Sequence, residues 1–447
     1  MSTFKLYEKY KESGHDWLGC IPDNWTTKRA KWIFREVNHR SKTGNEELLS
    51  VSEHYGVIKR KNANVNMFKA ESYEGYKLCN PGDLVINSLW AWSRGLGFSR
   101  YYGIVSTAYG VYRPKPENVG DFRYFHYLLR TNNYVGQYRI RSKGVWISRL
   151  QLSDHNFLDI PILLPPKREQ EAIARYLDHK AGQIDRFIRK KKQLIKLLNE
   201  QKAAIINQAV TKGINPNAPM KDSGIEWLGE IPEHWNKVRL RYLTKITTGG
   251  KNTEDRVEDG EYDFYVRSQI IEKINSYSFD GEGILTAGDG AGVGKIFHYA
   301  KGKFNFHQRV YLFFDFASSV KGEFLFNYLK ANLKTELMMY NAKSTVDSVR
   351  LPVLKDFIVC IPPEEEQYSI VHFINNETKN INDAISIIEK EIALTEEYRT
   401  ALIAEAVTGK IDVREYKIPE TVNEEIYEEI YEELSIAAED EAEYENV

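Results

Sequence analysis

Pro165-Pro166-Lys167-Arg168-Glu169-Gln170 opens a stretch that runs to Thr211, and Pro362-Pro363-Glu364-Glu365-Glu366-Gln367 opens another that runs to Thr408. The two align without a gap at an offset of 197 residues. Identities fall at Ile173/Ile370, Ile184/Ile381, Ile188/Ile385, Ile195/Ile392, Leu197/Leu394, Glu200/Glu397, Ala204/Ala401, Ile206/Ile403 and Ala209-Val210-Thr211/Ala406-Val407-Thr408. Ile184, Ile188, Ile195, Leu198, Ile205 and Ala209 advance by steps of a helical turn, and Ile381, Ile385, Ile388, Ile392, Leu402 and Ala406 do the same in the second copy. Such a stripe runs along one face of a helix and seeks a partner helix. Each proline pair sits where helices start, and neither stretch has an internal proline. About 45 residues at roughly 1.5 Å per residue give rods near 65 Å long. Packing the two rods on each other is the simplest way to bury both stripes.

Upstream of each rod lies a second repeat. Lys11-Glu-Ser-Gly-His-Asp-Trp17-Leu-Gly-Cys-Ile21-Pro22-Asp-Asn-Trp25 returns as Lys221-Asp-Ser-Gly-Ile-Glu-Trp227-Leu-Gly-Glu-Ile231-Pro232-Glu-His-Trp235, with nine of fifteen positions identical. The chain is therefore a tandem duplication of about 200 residues: tryptophan motif, variable region, long helix, then the same again. Gly, Pro and two Trp in so short a motif point to an ordered turn pinned by buried rings, a docking corner and not a catalytic site.

The variable regions, 26–164 and 236–361, carry short alternating runs bounded by glycine turns. Leu48–Val51, Asp83–Ile86, Gly110–Tyr112, Phe264–Val266 and Val310–Phe314 read as strands, Phe122–Leu129 and Phe324–Leu337 as helices. Ile160–Leu164 and Phe357–Ile361 read as strands leading into the rods. Each half is thus a mainly β, mixed globule attached to a rod, an α+β fold overall. The expected divisions are 1–164, a rod over 165–212, a linker over 213–222, 223–361, a rod over 362–412 and an acidic tail over 413–447.

At 447 residues, with 42% hydrophobic and 28% charged content, the chain has ordinary globular composition. It lacks an apolar run long enough to span a membrane or an apolar signal core, and Cys20, Cys79 and Cys360 are scattered, which suits a reducing cytoplasm. The net charge of −2 hides an asymmetry: Glu420–Val447 holds twelve acidic residues and no Lys or Arg, leaving about +10 on residues 1–419. A basic body with an acidic tail suits a nucleic-acid binder.

Motifs for catalysis are missing. In Gly288-Asp289-Gly290-Ala291-Gly292-Val293-Gly294-Lys295-Ile296, Asp289 and Ile296 stand where a phosphate loop needs Gly and Ser or Thr, so a glycine turn with a lysine near a phosphate is the better reading. No Asn-Pro-Pro-aromatic motif or zinc-type histidine spacing occurs, and no metal ligands are expected.

Clusters suited to DNA do occur. The first globule offers Lys59, Arg60, Lys61 and Asn62; Asn87, Trp90, Trp92, Ser93 and Arg94; and a basic loop with Arg141 and Lys143. The second offers Thr248, Lys251 and Asn252; Arg267 and Gln269; Lys295; and Gln308 and Arg309. Arg matches guanine and Asn or Gln matches adenine, while Lys and backbone amides hold phosphates.

The paired Trp-Leu-Gly-x-Ile-Pro-x-x-Trp motifs and paired Pro-Pro-x-x-Glu-Gln helices resemble the specificity (S) subunits of Type I restriction–modification systems, over about residues 11–412. The resemblance implies two target recognition domains, each reading half of a split site on double-stranded DNA. It implies two long helices packed as an antiparallel coiled coil that rules off the unread spacer. It also implies no catalysis in this chain: two modification subunits would methylate adenine with S-adenosylmethionine, and restriction subunits would use ATP and Mg. The competing reading from the residues alone is a scaffold subunit that works through its coiled coil without touching DNA. A stand-alone nucleic-acid enzyme is disfavoured by the missing motifs. If the ruler operates, inserting about one helical turn near both Leu198 and Thr395 should change the spacer between methylated half-sites in genomic methylation maps. An unchanged spacer contradicts it.

Overall fold

The computed structural model describes residues 5–53, 55–62, 72–144, 150–290, 292–341 and 349–418. The acidic stretch Glu420–Val447 and the side chain of Asn62 lie outside them. The chain forms two compact units, one comprising residues up to Lys190 with those from Glu391 onward, the other Lys191–Lys390. Both long helices form, over Lys167–Lys212 and Glu364–Val407. Each unit therefore owns the beginning of one long helix and the end of the other. Among the described residues no helix is long and apolar enough to cross a membrane.

In the first unit a four-stranded antiparallel sheet runs in the order Phe34–Glu36, Tyr109–Pro114, Leu84–Asn87, Leu96–Phe98. In the second a six-stranded sheet runs Lys245–Thr248, Val310–Phe314, Phe279–Ala287, Phe297–Phe306, Tyr262–Tyr265, Glu272–Ile274, with one parallel pair. Helices Phe122–Leu129 and Gly322–Asn341 pack beside these sheets. Asp121 starts the first of them by accepting from the Arg123 N–H, a side-chain N-cap. The strands expected before the rods are present: Pro161–Leu164 pairs with Thr26–Arg29, and Ile358–Ile361 with Asn236–Arg239.

The long helices pair antiparallel within each unit. In the first, the Arg399 guanidinium meets Asp185 at 2.9 Å, and Ile173, Tyr176 and Leu177 share a core with Leu402, Ala406, Val407 and Ile411. In the second, Lys202 Nζ donates to Asn382 Oδ1 at 2.6 Å, and Ala209 and Val210 share a core with Ile370, Val371 and Ile374. The stripe positions are all withdrawn from solvent: Ile188, Ile381, Ile388, Ile392 and Leu402 are buried, and Ile184, Ile195, Leu198, Ile205 and Ile385 half-buried. Leu194, Leu197, Ile387 and Leu394 point outward, which explains why these apolar residues fall off the stripe.

The tryptophan motif is a docking corner, and its anchor is the glutamate of the Pro-Pro-x-x-Glu-Gln motif. Trp25, fully buried, donates its indole N–H to Glu169 at 2.8 Å, Tyr7 adds its hydroxyl at 3.1 Å and Asn24 its amide at 2.5 Å. Burial, together with the Glu169 carboxylate, pushes the Tyr7 phenol far up, so it stays a donor. In the second unit Trp235 donates to Glu366 at 3.1 Å, and His234 contacts the other oxygen at 2.7 Å. The adjoining glutamines, both fully buried, are saturated with backbone partners. Gln170 accepts from Gly120 N and donates to the Asn118 and Pro165 carbonyls; Gln367 accepts from Lys321 N and donates to those of Ser319 and Pro362.

The same corners receive the helix ends. Gly409, with φ +74°, follows the second helix, and a Cβ there would strike the Pro22 ring at 2.5 Å and Trp25 at 3.1 Å. Gly213, with φ +73°, follows the first, and a Cβ would crowd Glu366 at 3.2 Å. Glycine is required for the left-handed turn and, at Gly409, for the space.

Glu169→Ala should leave the Trp25 N–H and Tyr7 hydroxyl unpaired in the core, lowering the stability of the first unit by about 3 kcal/mol in urea unfolding. A loss below about 1 kcal/mol contradicts the anchor role.

Candidate nucleic-acid interface

In the first unit the loop Asn87–Gly95 joins the inner strand Leu84–Asn87 to the edge strand Leu96–Phe98 and closes on itself. Asn87 N donates to Gly95 O, Gly95 N to Trp90 O, and Trp92 Nε1 to Leu89 O. Gly95 is fixed by this closure, since a Cβ would lie 2.7 Å from Trp90 O. The rings of Trp90 and Trp92 stack at 5.8 Å, and Trp90 remains 54% exposed. Asn87 is spent locally: its amide donates to the Tyr109 hydroxyl and its oxygen accepts from Leu89 N.

Arg94 sits at φ +56° and also works inside the protein. Its guanidinium donates to Arg130 O at 3.2 Å and Asn132 Oδ1 at 2.6 Å. Arg130 runs the other way and donates to the carbonyls of Arg94, Leu96 and Glu53. Burial, with the charge of Arg94 beside it, lowers the Arg130 guanidinium to about 10. Sequence reading missed Arg130, which no local pattern marks. Ser93 is half-buried in the turn.

Of the basic loop expected over Arg139–Gly144, residues 139–141 instead end a helix, Asn132–Arg141, which packs against the Trp90 loop. Its amphipathic pattern is weak, because Arg139 and Ile140 both face solvent while Tyr134 and Tyr138 anchor it. Arg139 Nε donates to Trp92 O, Arg141 Nε to Gln137, and Lys143 bridges to Gln151 next to the Leu152–Ser88 bond. Lys59 lies over the Tyr101 ring at 5.0 Å, Arg60 reaches Ser50, and Lys61 is exposed. The charge of Arg60 bears on Tyr109, the same hydroxyl that holds Asn87, so the three stretches share neighbours.

The second unit brings its residues together more closely. Arg267 and Arg309 both bind Asp289, at 2.7 and 2.8 Å. Gln308 donates to Asn252 Oδ1 at 2.5 Å, Gln308 N donates to Lys251 O, and Gln269 donates to Lys295 O. Thr248 ends the strand that leads into this cluster, and Lys251 pairs with Asp255. His307, under the cluster, accepts from the Arg309 backbone N–H; burial first, then Arg267 and Arg309, lowers its pKa and keeps it neutral. In the sequence Asp289 belongs to the glycine turn expected near a phosphate; the two arginines it holds lie 22 and 20 residues away, and no local pattern ties them to it. Among the described residues no cluster of His, Cys, Asp and Glu is arranged to hold a metal.

The family model for the Type I restriction modification DNA specificity domain matches residues 22–199 and again 232–394. The chain belongs to that family. It is similar to the Type I restriction enzyme EcoDI specificity subunit of Escherichia coli, 28% identical over 183 residues, which cover 41% of this chain and 40% of that one. Its similarity to the MjaVIII specificity subunit of Methanocaldococcus jannaschii, 26% identical over 364 residues, covers 75% of this chain and 81% of the relative. Its fold is also that of a chain in a structure described as the basis of complex assembly and conformational transition of the type I R-M system. That likeness has a TM-score of 0.64 at 16% identity, covering 88% of this chain and 99% of the other. The two matched segments of this specificity subunit coincide with the two halves of the internal repeat.

Asp289→Ala should cost less than about 1 kcal/mol of stability in urea unfolding, because its ion pairs are partly exposed. By freeing two arginines it should raise low-salt affinity for random-sequence duplex DNA. A fall in that affinity would show that Asp289 holds the arginines in their binding pose.

Proposed function

We propose that this specificity subunit reads a split target on double-stranded DNA, one half-site per unit, and recruits the subunits that act on it. The observation that carries the reading is the convergence, at one exposed end of the second unit, of Arg267, Gln269, Lys295, Gln308, Arg309, Lys251 and Asn252 from separate strand ends. Arg and amide side chains so grouped can meet base edges while Lys holds phosphates. The first unit presents a different set, Trp90 with Trp92, Arg141 and Lys143, on a loop braced from within by Arg94, which suits a half-site of different sequence.

In this reading residues 1–164 and 223–361 are the target recognition domains, and the long helices set the spacer. Two modification subunits and the restriction subunits supply chemistry. S-adenosylmethionine, ATP and Mg belong to those partners, adenine methylation requires the base to be flipped into the partner's pocket, and this chain is non-catalytic. A cytoplasmic location follows from that role.

The test is a salt titration of binding to a duplex selected from a random pool by the chain in the complex it purifies with. Affinity should fall steeply between about 50 and 200 mM salt, by about three orders of magnitude for six or more phosphate contacts. Binding that ignores salt, or none at all with partners present, favours the scaffold reading.

A further inference from the structure

Trp32 and Tyr242 are exposed aromatic rings at equivalent places in the two units, 60% and 67% accessible. Each lies on one turn of helix that follows a repeated strand, with buried aliphatic residues on either side: Ala30 and Ile33 in the first unit, Leu240 and Leu243 in the second. The equivalence is held by matching backbone bonds. Ala30 N donates to Ile160 O and Leu240 N to Phe357 O, both at 2.8 Å; Lys115 N donates to Ile33 O and Ala317 N to Leu243 O. Arg29 stands opposite Pro161 and Arg239 opposite Ile358.

The charges beside the rings repeat as well. Arg29 meets Asp159 at 2.6 Å and Lys31 meets it at 3.7 Å; Arg239 meets Asp356 at 3.6 Å, and Arg241 also pairs with Asp356. Two cations clasping one carboxylate beside an outward ring thus occur once per unit. Ala-Lys-Trp-Ile and Leu-Arg-Tyr-Leu share no residue at any position, yet the order small or aliphatic, basic, aromatic, aliphatic is the same.

We propose that these two patches are equivalent docking faces for two copies of one partner protein, the modification subunit. This rests on the recruiting role above and names the surface that performs it. The clusters that differ between the units answer to different half-sites; a patch repeated in both answers to something common to both. A phosphate backbone is also common, but phosphate contacts need cations alone. Here each pair of cations flanks a large exposed apolar ring, which phosphate contact does not use. Trp, Tyr and Arg are the residue types that dominate protein–protein hot spots. The complementary surface is an apolar pocket with an acidic rim, which the half-exposed Arg29, Lys31, Arg239 and Arg241 would face.

The experiment is native mass spectrometry of the full chain co-purified with the modification subunit, with titration of the affinity of each copy. Trp32→Ala and Tyr242→Ala should each weaken one of two copies at least tenfold, and the double variant both. Trp32→Phe and Tyr242→Phe should restore most of the loss, and thermal melting should stay at the wild-type value because both rings are solvent-exposed. Two copies retained at wild-type affinity by the double variant overturn the proposal. So does unchanged stoichiometry with a tenfold loss of duplex affinity, which would make the patches phosphate contacts. A wild-type chain that binds duplex but recruits no copy overturns the recruiting reading itself.

Discussion

Glu169 and Glu366 are the fixed points of the molecule. Each lies one turn into a long helix and accepts from the last tryptophan of the motif in its own unit. A buried indole N–H needs an acceptor, and a carboxylate drawn out of water, fully at Glu169 and partly at Glu366, needs donors. Meeting both demands with one bond fixes the direction in which the helix leaves the sheet domain. The neighbouring glutamines then fasten the turn that precedes each helix to the loop before it or the globule beside it. The far end of the other helix closes the corner, through Gly409 in the first unit and Gly213 in the second.

This frame explains how two unlike heads coexist on one chain. The residues that carry it are repeated almost position for position, while the sheets mounted on it differ in strand number, order and parallel content. The loops of the candidate interface hang from strand ends and the frame does not pass through them, so they can vary without loosening the corners. The pseudo-symmetry extends beyond the motifs that announced it, to Arg29 and Arg239, Asp159 and Asp356, and the aromatic rings beside them.

Much of this was legible in the sequence because the chain contains its own comparison. The gapless offset exposed the helices, and the spacing of Ile188, Ile381 and Leu402 gave the buried face correctly. The strands before the helices fell within a residue or so of their expected limits, since short apolar runs closed by a proline pair have few other options. The candidate interface was less legible. The sequence placed Arg94 in a cluster suited to DNA; in the fold its guanidinium donates to Arg130 O and Asn132, contacts 36 and 38 residues away that no local pattern encodes. The helix ending at Arg141 read as a loop because its exposed Ile140 breaks the amphipathic signal. Asp289 read as part of a glycine turn near a phosphate, and its two arginines, 22 and 20 residues away, are tied to it by no local pattern.

If one chain reads one duplex with two heads built on a common frame, hydroxyl-radical footprinting of the assembled complex on its selected duplex will show it most directly. Two protected segments should flank an unprotected gap, and substituting Arg267 and Arg309 together should erase protection at one segment only. A single continuous footprint, or loss of both segments together, would contradict it.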